Sequence, residues 1–343
     1  LPPAHKGNVM LCTPVQSRNL FEHALKNNYA ILAVNADSPA AVTDCLLAAK
    51  KAAAPIIIET SLWQLEGHSF GAGDAVTGLA RYIVETAAIA SAPAFGSVPV
   101  VLHTDHIKGP KTFDILGAAI TGIAVDVMGT RLSVHPSTLS LDASAFTDDE
   151  NIAAISRLAQ IARDADTRIT LEMESSVDAG VTAPEITKKL VGSVEEEYPG
   201  VIALYAPGLG TKHGFSDEGY PEFSTDAVRM NIGLLKELTG RDIGLALHGS
   251  SGLSRDDLSA AAAAGVVKVN WSTESLMIRS SAARRYYADM AAQFDKKHPQ
   301  WKTTVMDNGV AASVSAPYVE RIVDRIELLH GTGKAPGAVA AMI

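Results

Sequence analysis

Cysteine is almost missing from this 343-residue chain: Cys12 and Cys45 are its only two. Two thiols are too few for a disulfide framework or a thiolate-built zinc site, so a reducing, cytoplasmic setting fits best. Long apolar runs are lacking as well. No stretch reaches the ~18 consecutive apolar residues of a membrane span, and no membrane partner is expected. Cationic charge is in deficit, with 29 Lys and Arg against 38 Asp and Glu and a formal charge of -9. A broad electrostatic grip on nucleic acid or anionic lipid is therefore not expected, and an anionic ligand would need local donors. No Walker pattern and no GxGxxG opens a helix after the first apolar run, which leaves a nucleotide site unsupported. The first residues, Leu1-Pro2-Pro3-Ala4-His5-Lys6, include neither Met nor an apolar signal core, so processing or trimming is expected and secretion is not. Repeats and convincing linkers are also missing, and the only low-complexity segment is the alanine-rich 260–264.

What is present suits one large enzyme domain over residues 1–343: 47% hydrophobic and 20% charged residues, at a length usual for a (β/α)8 barrel with insertions. Short apolar runs bounded by polar or glycine-containing turns occur at 31–34, 55–58, 98–102, 169–173, 201–205, 243–247 and 266–269. An eighth must lie between Lys111 and Glu150, where 122–128 and 138–141 compete. Helical spacing marks 38–50, 148–164, 225–238, 254–263 and 274–294, and a last helix over 316–329 lies beyond the eight units. Ser254 before Arg255-Asp256-Asp257 has the form of an N-cap with acids in the first turn, and Gly265 can close that helix. Near-continuous apolar strands separated by helices predict an α/β fold, a closed parallel TIM barrel with an additional C-terminal helix. An open doubly wound sheet is the alternative.

The polar residues are informative by position, because they sit at the C-terminal ends of the apolar runs, the face that carries the active site in such a barrel. The first run ends at Asn35, the second at Glu59-Thr60-Ser61, and the third in His103-Thr104-Asp105-His106. Later runs lead into Glu172-Met173-Glu174, Gly210-Thr211-Lys212-His213-Gly214, His248-Gly249-Ser250-Ser251-Gly252 and Asn270-Trp271-Ser272-Thr273. Imidazoles with a carboxylate and an open position are the makeup of a catalytic zinc site. His106, His213 and His248 are the expected ligands, Glu174 is an additional or alternative one, and His103 can support from behind. His5, His23, His68, His298 and His330 read as structural. Gly214, Gly249 and Gly252, with hydroxyls from Ser251, Ser272 and Thr273, offer backbone N–H groups and side chains suited to a phosphate.

The pieces LHTDH (102–106), LEMES (171–175), GTKHG (210–214), LHGSSG (247–252) and VVKVNWSTE (266–274) stand in the order found in the class II, zinc-dependent fructose-bisphosphate and tagatose-bisphosphate aldolases, and the chain resembles that family. The resemblance selects 138–142 as the missing strand and matches the family's serine and aspartate to Ser61 and Asp142. It implies zinc on the three histidines against a ketose carbonyl, Asp105 exchanging the C4 hydroxyl proton, and Asn270 hydrogen-bonding the enediolate. It further implies Gly214, Gly249, Ser251 and Thr273 on the phosphate of dihydroxyacetone phosphate; by their positions, Asn35, Ser61, Ser272 and Lys212 are further expected substrate contacts. A monovalent cation, Na+ or K+, is an optional companion, and a homodimer or homotetramer is the expected assembly. With the zinc constellation intact, Lys268 is not needed as a Schiff-base lysine.

Three departures bear on the substrate. Where the family has a Gly-Gly-Glu-Glu-type loop, this chain reads Ser175-Ser176-Val177-Asp178-Ala179-Gly180, making Asp178 the nearest substitute acid and Glu185 the second. Ser272 replaces the aspartate of fructose-specific members and is closer to the tagatose-type pattern. The arginine for a second phosphate has no counterpart in Asp307-Asn308-Gly309-Val310-Ala311-Ala312-Ser313. The aldehyde half therefore need not be glyceraldehyde 3-phosphate, and Lys108, Lys111 and Lys212 are the cations left for another anion. Two other readings compete: a non-catalytic barrel supporting a partner aldolase, and a zinc hydrolase, which the missing His-x-His on the first run disfavours.

Overall fold

The computed structural model describes residues 11–175, 178, 180–215 and 222–342. The chain runs α1 Pro14–Lys26, β1 Ile31–Asn35, α2 Pro39–Ala52, β2 Ile56–Thr60, α3 Leu62–Glu66, α4 Ala75–Ala90, β3 Val100–Thr104 and α5 Thr112–Thr121. After the antiparallel pair β4 Ile123–Val127 and β5 Thr130–Val134 come β6 Thr138–Ser140, α6 Asp148–Asp164, β7 Thr170–Glu174, α7 Pro184–Glu197, β8 Ile202–Ala206 and α8 Thr225–Thr239. The last part holds β9 Gly244–Leu247, α9 Arg255–Ala264, β10 Val266–Trp271, α10 Thr273–Asp289, α11 Trp301–Thr304, α12 Asp307–Leu328 and α13 Ala335–Met342. Eight parallel strands close in the order β1-β10-β9-β8-β7-β6-β3-β2, a (β/α)8 barrel, and the open doubly wound sheet is set aside.

All residues of the eight barrel strands are buried. This is why they read as continuous apolar runs: helices cover the outside while side chains fill the inside. The eighth strand is the exception in composition. β6, with the sequence Thr-Leu-Ser, meets β3 in register only at His103↔Thr138. Side chains complete that seam: Ser140 N–H donates to Thr104 Oγ1 (3.2 Å), Ser140 Oγ to the Thr104 carbonyl (2.9 Å), and Leu102 N–H to Ser137 Oγ (3.0 Å).

The competing run at 122–128 forms the hairpin instead. Met128 and Gly129 both have positive φ (49° and 80°), the geometry of a two-residue turn that matches strand twist, and this diverts the segment from the barrel.

α1 closes the N-terminal end of the barrel. Thr13 and Gln16 form a reciprocal capping box. Leu20, Phe21 and Ala24 then pack with the interior-facing Ile31, Ala33, Ile57, Val101 and Val267, and with Met342 of α13. The opposite, C-terminal mouth is left for polar chemistry. α12 is the expected extra helix, but it begins at Asp307 rather than at 316. Tyr318 from α12 stacks on Trp271 (centroids 5.9 Å) and hydrogen-bonds Ser275 (2.7 Å), pinning the start of α10 to the barrel.

Candidate metal centre and active site

Three loops leaving the barrel mouth bring His106, His213 and His248 together, with one ligand atom from each lying within 4.8 Å of the others. Ring centroids are 5.2, 5.2 and 5.8 Å apart, and the planes are steeply inclined to one another. Each ring is held through one nitrogen by a carboxylate. His106 Nδ1 meets Asp105 Oδ2 at 2.7 Å, His213 Nδ1 meets Asp178 Oδ1 at 3.0 Å, and His248 Nε2 meets Glu172 Oε1 at 2.8 Å. That leaves His106 Nε2, His213 Nε2 and His248 Nδ1 for an ion. Such carboxylate–imidazole pairs orient the ring and raise its basicity as a ligand. His248 Nδ1 is buried with no hydrogen-bond partner among the described residues, an omission that a metal bond would repair. The donor set therefore fits a divalent ion such as zinc. Glu174, expected as a further or alternative ligand, is not part of this group. It lines the cavity as a buried carboxyl; burial pushes it up to about 8 against the pull of His106.

Asp105 sits between the histidines and the barrel axis. Asn35 Nδ2 and Asn270 Nδ2 donate to it at 3.1 Å each, and Ser61 Oγ at 3.4 Å. Burial favours its neutral acid, but His106, His248 and Lys268 outweigh that and hold it well below the usual carboxylate range.

Underneath lies a fully buried ionic cluster. The Lys268 ammonium is 3.1 Å from Glu172 Oε2 and 3.2 Å from Glu59 Oε2, and it donates to Asn270 Oδ1. One ammonium serves two carboxyls. Burial lowers and these acids raise Lys268, the acids prevailing; burial also pushes Glu59 up to about 8 against the pull of Lys268, while Glu172 is held low by Lys268, His103 and His248 despite its burial. At neutral pH the charge thus rests on Lys268 and Glu172. His103 supports from behind as expected, with Nε2 at 3.6 Å from Glu172 and Nδ1 on Thr138 Oγ1.

The mouth is a cavity of about 830 Å3. Of the expected substrate contacts, Asn35, Ser61, Gly214, Gly249 and Ser251 line it, as do Ser272 and Thr273 at the start of α10. Asp105, Asn270 and Asp178 line it too. Two expected residues fall outside the lining. Lys212 is exposed outside the lining, because its backbone, not its ammonium, faces the site. Glu185 is exposed in the first turn of α7, away from the cavity. Asp178, expected as a proton donor, accepts from the His213 backbone N–H (2.9 Å) as well as its ring. Gly252 and Lys111 also lie outside the lining. Leu62, Trp63, Glu66, Ser144 and Ser250 line the cavity without having been expected there. Leu62 and Trp63 come just after the end of β2, a position that marks these two on general barrel grounds.

Gly249 fixes the approach of the 213–214 loop. It has φ +70°, and a Cβ there would stand 2.4 Å from the Lys212 carbonyl oxygen. Gly249→Ala is therefore expected to cost about 1–3 kcal/mol, read as a fall in Tm, and to displace His213, read as weakened metal affinity.

The class-II fructose-bisphosphate aldolase family profile matches residues 15–334. A fructose-bisphosphate aldolase of Aspergillus oryzae is 29% identical over 293 residues, covering 78% of this chain and 78% of the relative. One from Streptococcus pyogenes is 27% identical over 291 residues, covering 82% and 88%. Among solved structures, the fructose-bisphosphate aldolase of Campylobacter jejuni matches with a TM-score of 0.78 at 20% identity, over 95% of this chain and 97% of that one. An aldolase of Escherichia coli K12 matches at 0.66, again with 20% identity, over 93% and 98%. The two structures speak for the barrel, and the length of the profile match speaks for descent. The chain belongs to the class-II fructose-bisphosphate aldolase family: it is an aldolase, an enzyme of the lyase class.

Proposed function

We propose that the chain is a zinc-dependent aldolase that reversibly cleaves a phosphorylated ketose to dihydroxyacetone phosphate and an aldehyde, which need not be glyceraldehyde 3-phosphate. The observation that carries this reading is the trio of carboxylate-held imidazoles with Asp105 hydrogen-bonded to one of them. Zinc bound there would supply a Lewis acid against the ketose carbonyl and offset the negative charge that cleavage leaves on the enediolate.

The remaining work falls to side chains. Asp105 is ionised at neutral pH, as a base taking the C4 hydroxyl proton must be. The neutral groups that donate to it, Asn35, Ser61 and Asn270, are ones a polyol can claim. Each one claimed returns basicity to the carboxylate. Asn270 accepts from Lys268 through Oδ1, so its Nδ2 faces Asp105 and the cavity as a donor. A fixed N–H at that place stabilises the oxygen on which enediolate charge develops. For the phosphate, Gly214, Gly249 and Ser251 stand beside Ser272 and Thr273, where α10 begins and its first N–H groups and dipole favour an anion. Asp178 keeps the His213 ring in the orientation an ion needs.

The test is metal removal. Chelated protein should lose retro-aldol turnover and regain it with a single equivalent of zinc per chain. His213→Ala, which removes a half-exposed ring, is expected to lower zinc affinity by more than about a hundredfold, read by competition with a chromogenic chelator, without unfolding the barrel. Full turnover of chelated protein would refute the zinc reading. Turnover of the pure chain also excludes a merely supporting subunit.

A further inference from the structure

From the lining of the mouth, and resting on the aldolase reading above, we infer that the acceptor is an uncharged hydroxyaldehyde seated against Trp63 rather than a phosphorylated, sulfonated or carboxylated one. The groups proposed for the phosphate adjoin one another, Gly249 against the Lys212 backbone beside Gly214 and Ser251 on the first turn of α10, which leaves the aldehyde the flank built by α3 and by the 105–108 and 142–144 segments. Among the described residues, that flank lacks an available cation. Its one ammonium, Lys108, is 2.8 Å from Asp142 Oδ2, which raises the lysine and is itself held low. Glu66 and Glu174 line the same cavity. A second anionic group here would meet the Glu66 carboxylate and an Asp142 already paired with Lys108, with no free cation beside them among the described residues, and like charges in a recess are strongly disfavoured.

What the flank offers instead is Trp63, 54% exposed in the cavity wall. An aromatic ring this open on a rigid element is not explained by packing. The element is rigid: Gln64 Oε1 accepts from the Ser61 backbone N–H at 2.6 Å, and Gln64 and Leu65 are buried on the other side of α3. The Trp63 indole N–H has no partner among the described residues. A polyol chain can lay its C–H face on the ring while Glu66 accepts from its hydroxyls. In synthesis the enediolate carbon bonds to the aldehyde carbon, and the aldehyde oxygen takes the proton that Asp105 returns.

The zinc-loaded enzyme would be given dihydroxyacetone phosphate with glyceraldehyde or erythrose, and separately with glyceraldehyde 3-phosphate. Deuterium exchange at C3 of dihydroxyacetone phosphate without aldehyde reads the aldolase half-reaction alone. The expected result is exchange, a preference of at least about tenfold in kcat/KM for the neutral aldehydes, and a rise of about five- to tenfold in their KM in Trp63→Ala, restored by Trp63→Phe. Glu66→Arg should shift the preference toward the phosphorylated aldehyde. Binding of a ketose 1-phosphate whose aldehyde-derived half is uncharged should quench a fluorescence component that Trp63→Phe lacks. Exchange together with preference for glyceraldehyde 3-phosphate, or an unchanged KM in Trp63→Ala, overturns the inference and leaves the aldolase reading standing. Absence of exchange overturns both.

Discussion

Asp105→Asn is expected to lower kcat by about 10²–10⁴-fold while zinc still binds with near-native affinity. Asp105 does two things that the geometry separates. Its Oδ2 holds His106 Nδ1 at 2.7 Å, and its carboxylate as a whole is the proposed base beside the cavity. Asparagine keeps an acceptor for the imidazole and loses the base. Alanine loses both, so Asp105→Ala should show the same fall in kcat and, in addition, zinc affinity weaker by about 10–100-fold. At zinc concentrations well above its weakened Kd, the alanine variant should fill with metal and remain inactive. Metal content by mass spectrometry and single-turnover cleavage check the two effects independently. Turnover within about tenfold of wild type in filled Asp105→Asn would take the base role away from this residue, since a positioned base contributes more than that.

Legibility in the sequence followed the physics of each segment. Parallel strands buried on both faces are continuous apolar runs, and seven of the eight announced themselves that way. β6 did not, because its seam with β3 is made by Ser137, Ser140 and Thr104 side chains, and such a strand has polar composition. The run that resembled it, 122–128, has the residues of a strand but leads into a Met128-Gly129 turn that only the backbone reveals. α6, polar overall and opening on the acidic turn Asp148-Asp149-Glu150, was readable to its ends. α4, equally two-faced but apolar overall and without acids in its first turn, was not.

The site divides the same way. Ligand residues occupy strand ends, so order along the chain pointed to His106, His213 and His248. Tertiary pairing was not readable: nothing local in the sequence says that Asp178 turns to His213, or that Lys108 is already engaged by Asp142. Trp63 was passed over because a tryptophan five residues beyond the apolar run 55–58 looks like core until its exposure is known.

Lys268 is the residue where composition and role diverge most, since a lysine within an apolar strand invites a Schiff-base reading. Its ammonium is fully buried between Glu59 and Glu172 and its charged form is favoured, so it is no nucleophile. Lys268→Met should strand the Glu172 charge in the barrel and cost about 3–5 kcal/mol, a loss visible in calorimetric Tm. Lys268→Met/Glu172→Gln removes both charges, and the glutamine carbonyl can still accept from His248 Nε2. This double variant is expected to recover most of the lost stability, because a neutral pair of similar volume has little desolvation to overcome. It is not expected to recover kcat. Without the ammonium on Oδ1, the Asn270 carboxamide can rotate and present oxygen where the enediolate needs an N–H, a loss of about 10²–10³-fold in kcat for one such donor. A stable double variant with native kcat would show that Asn270 is oriented by something other than Lys268.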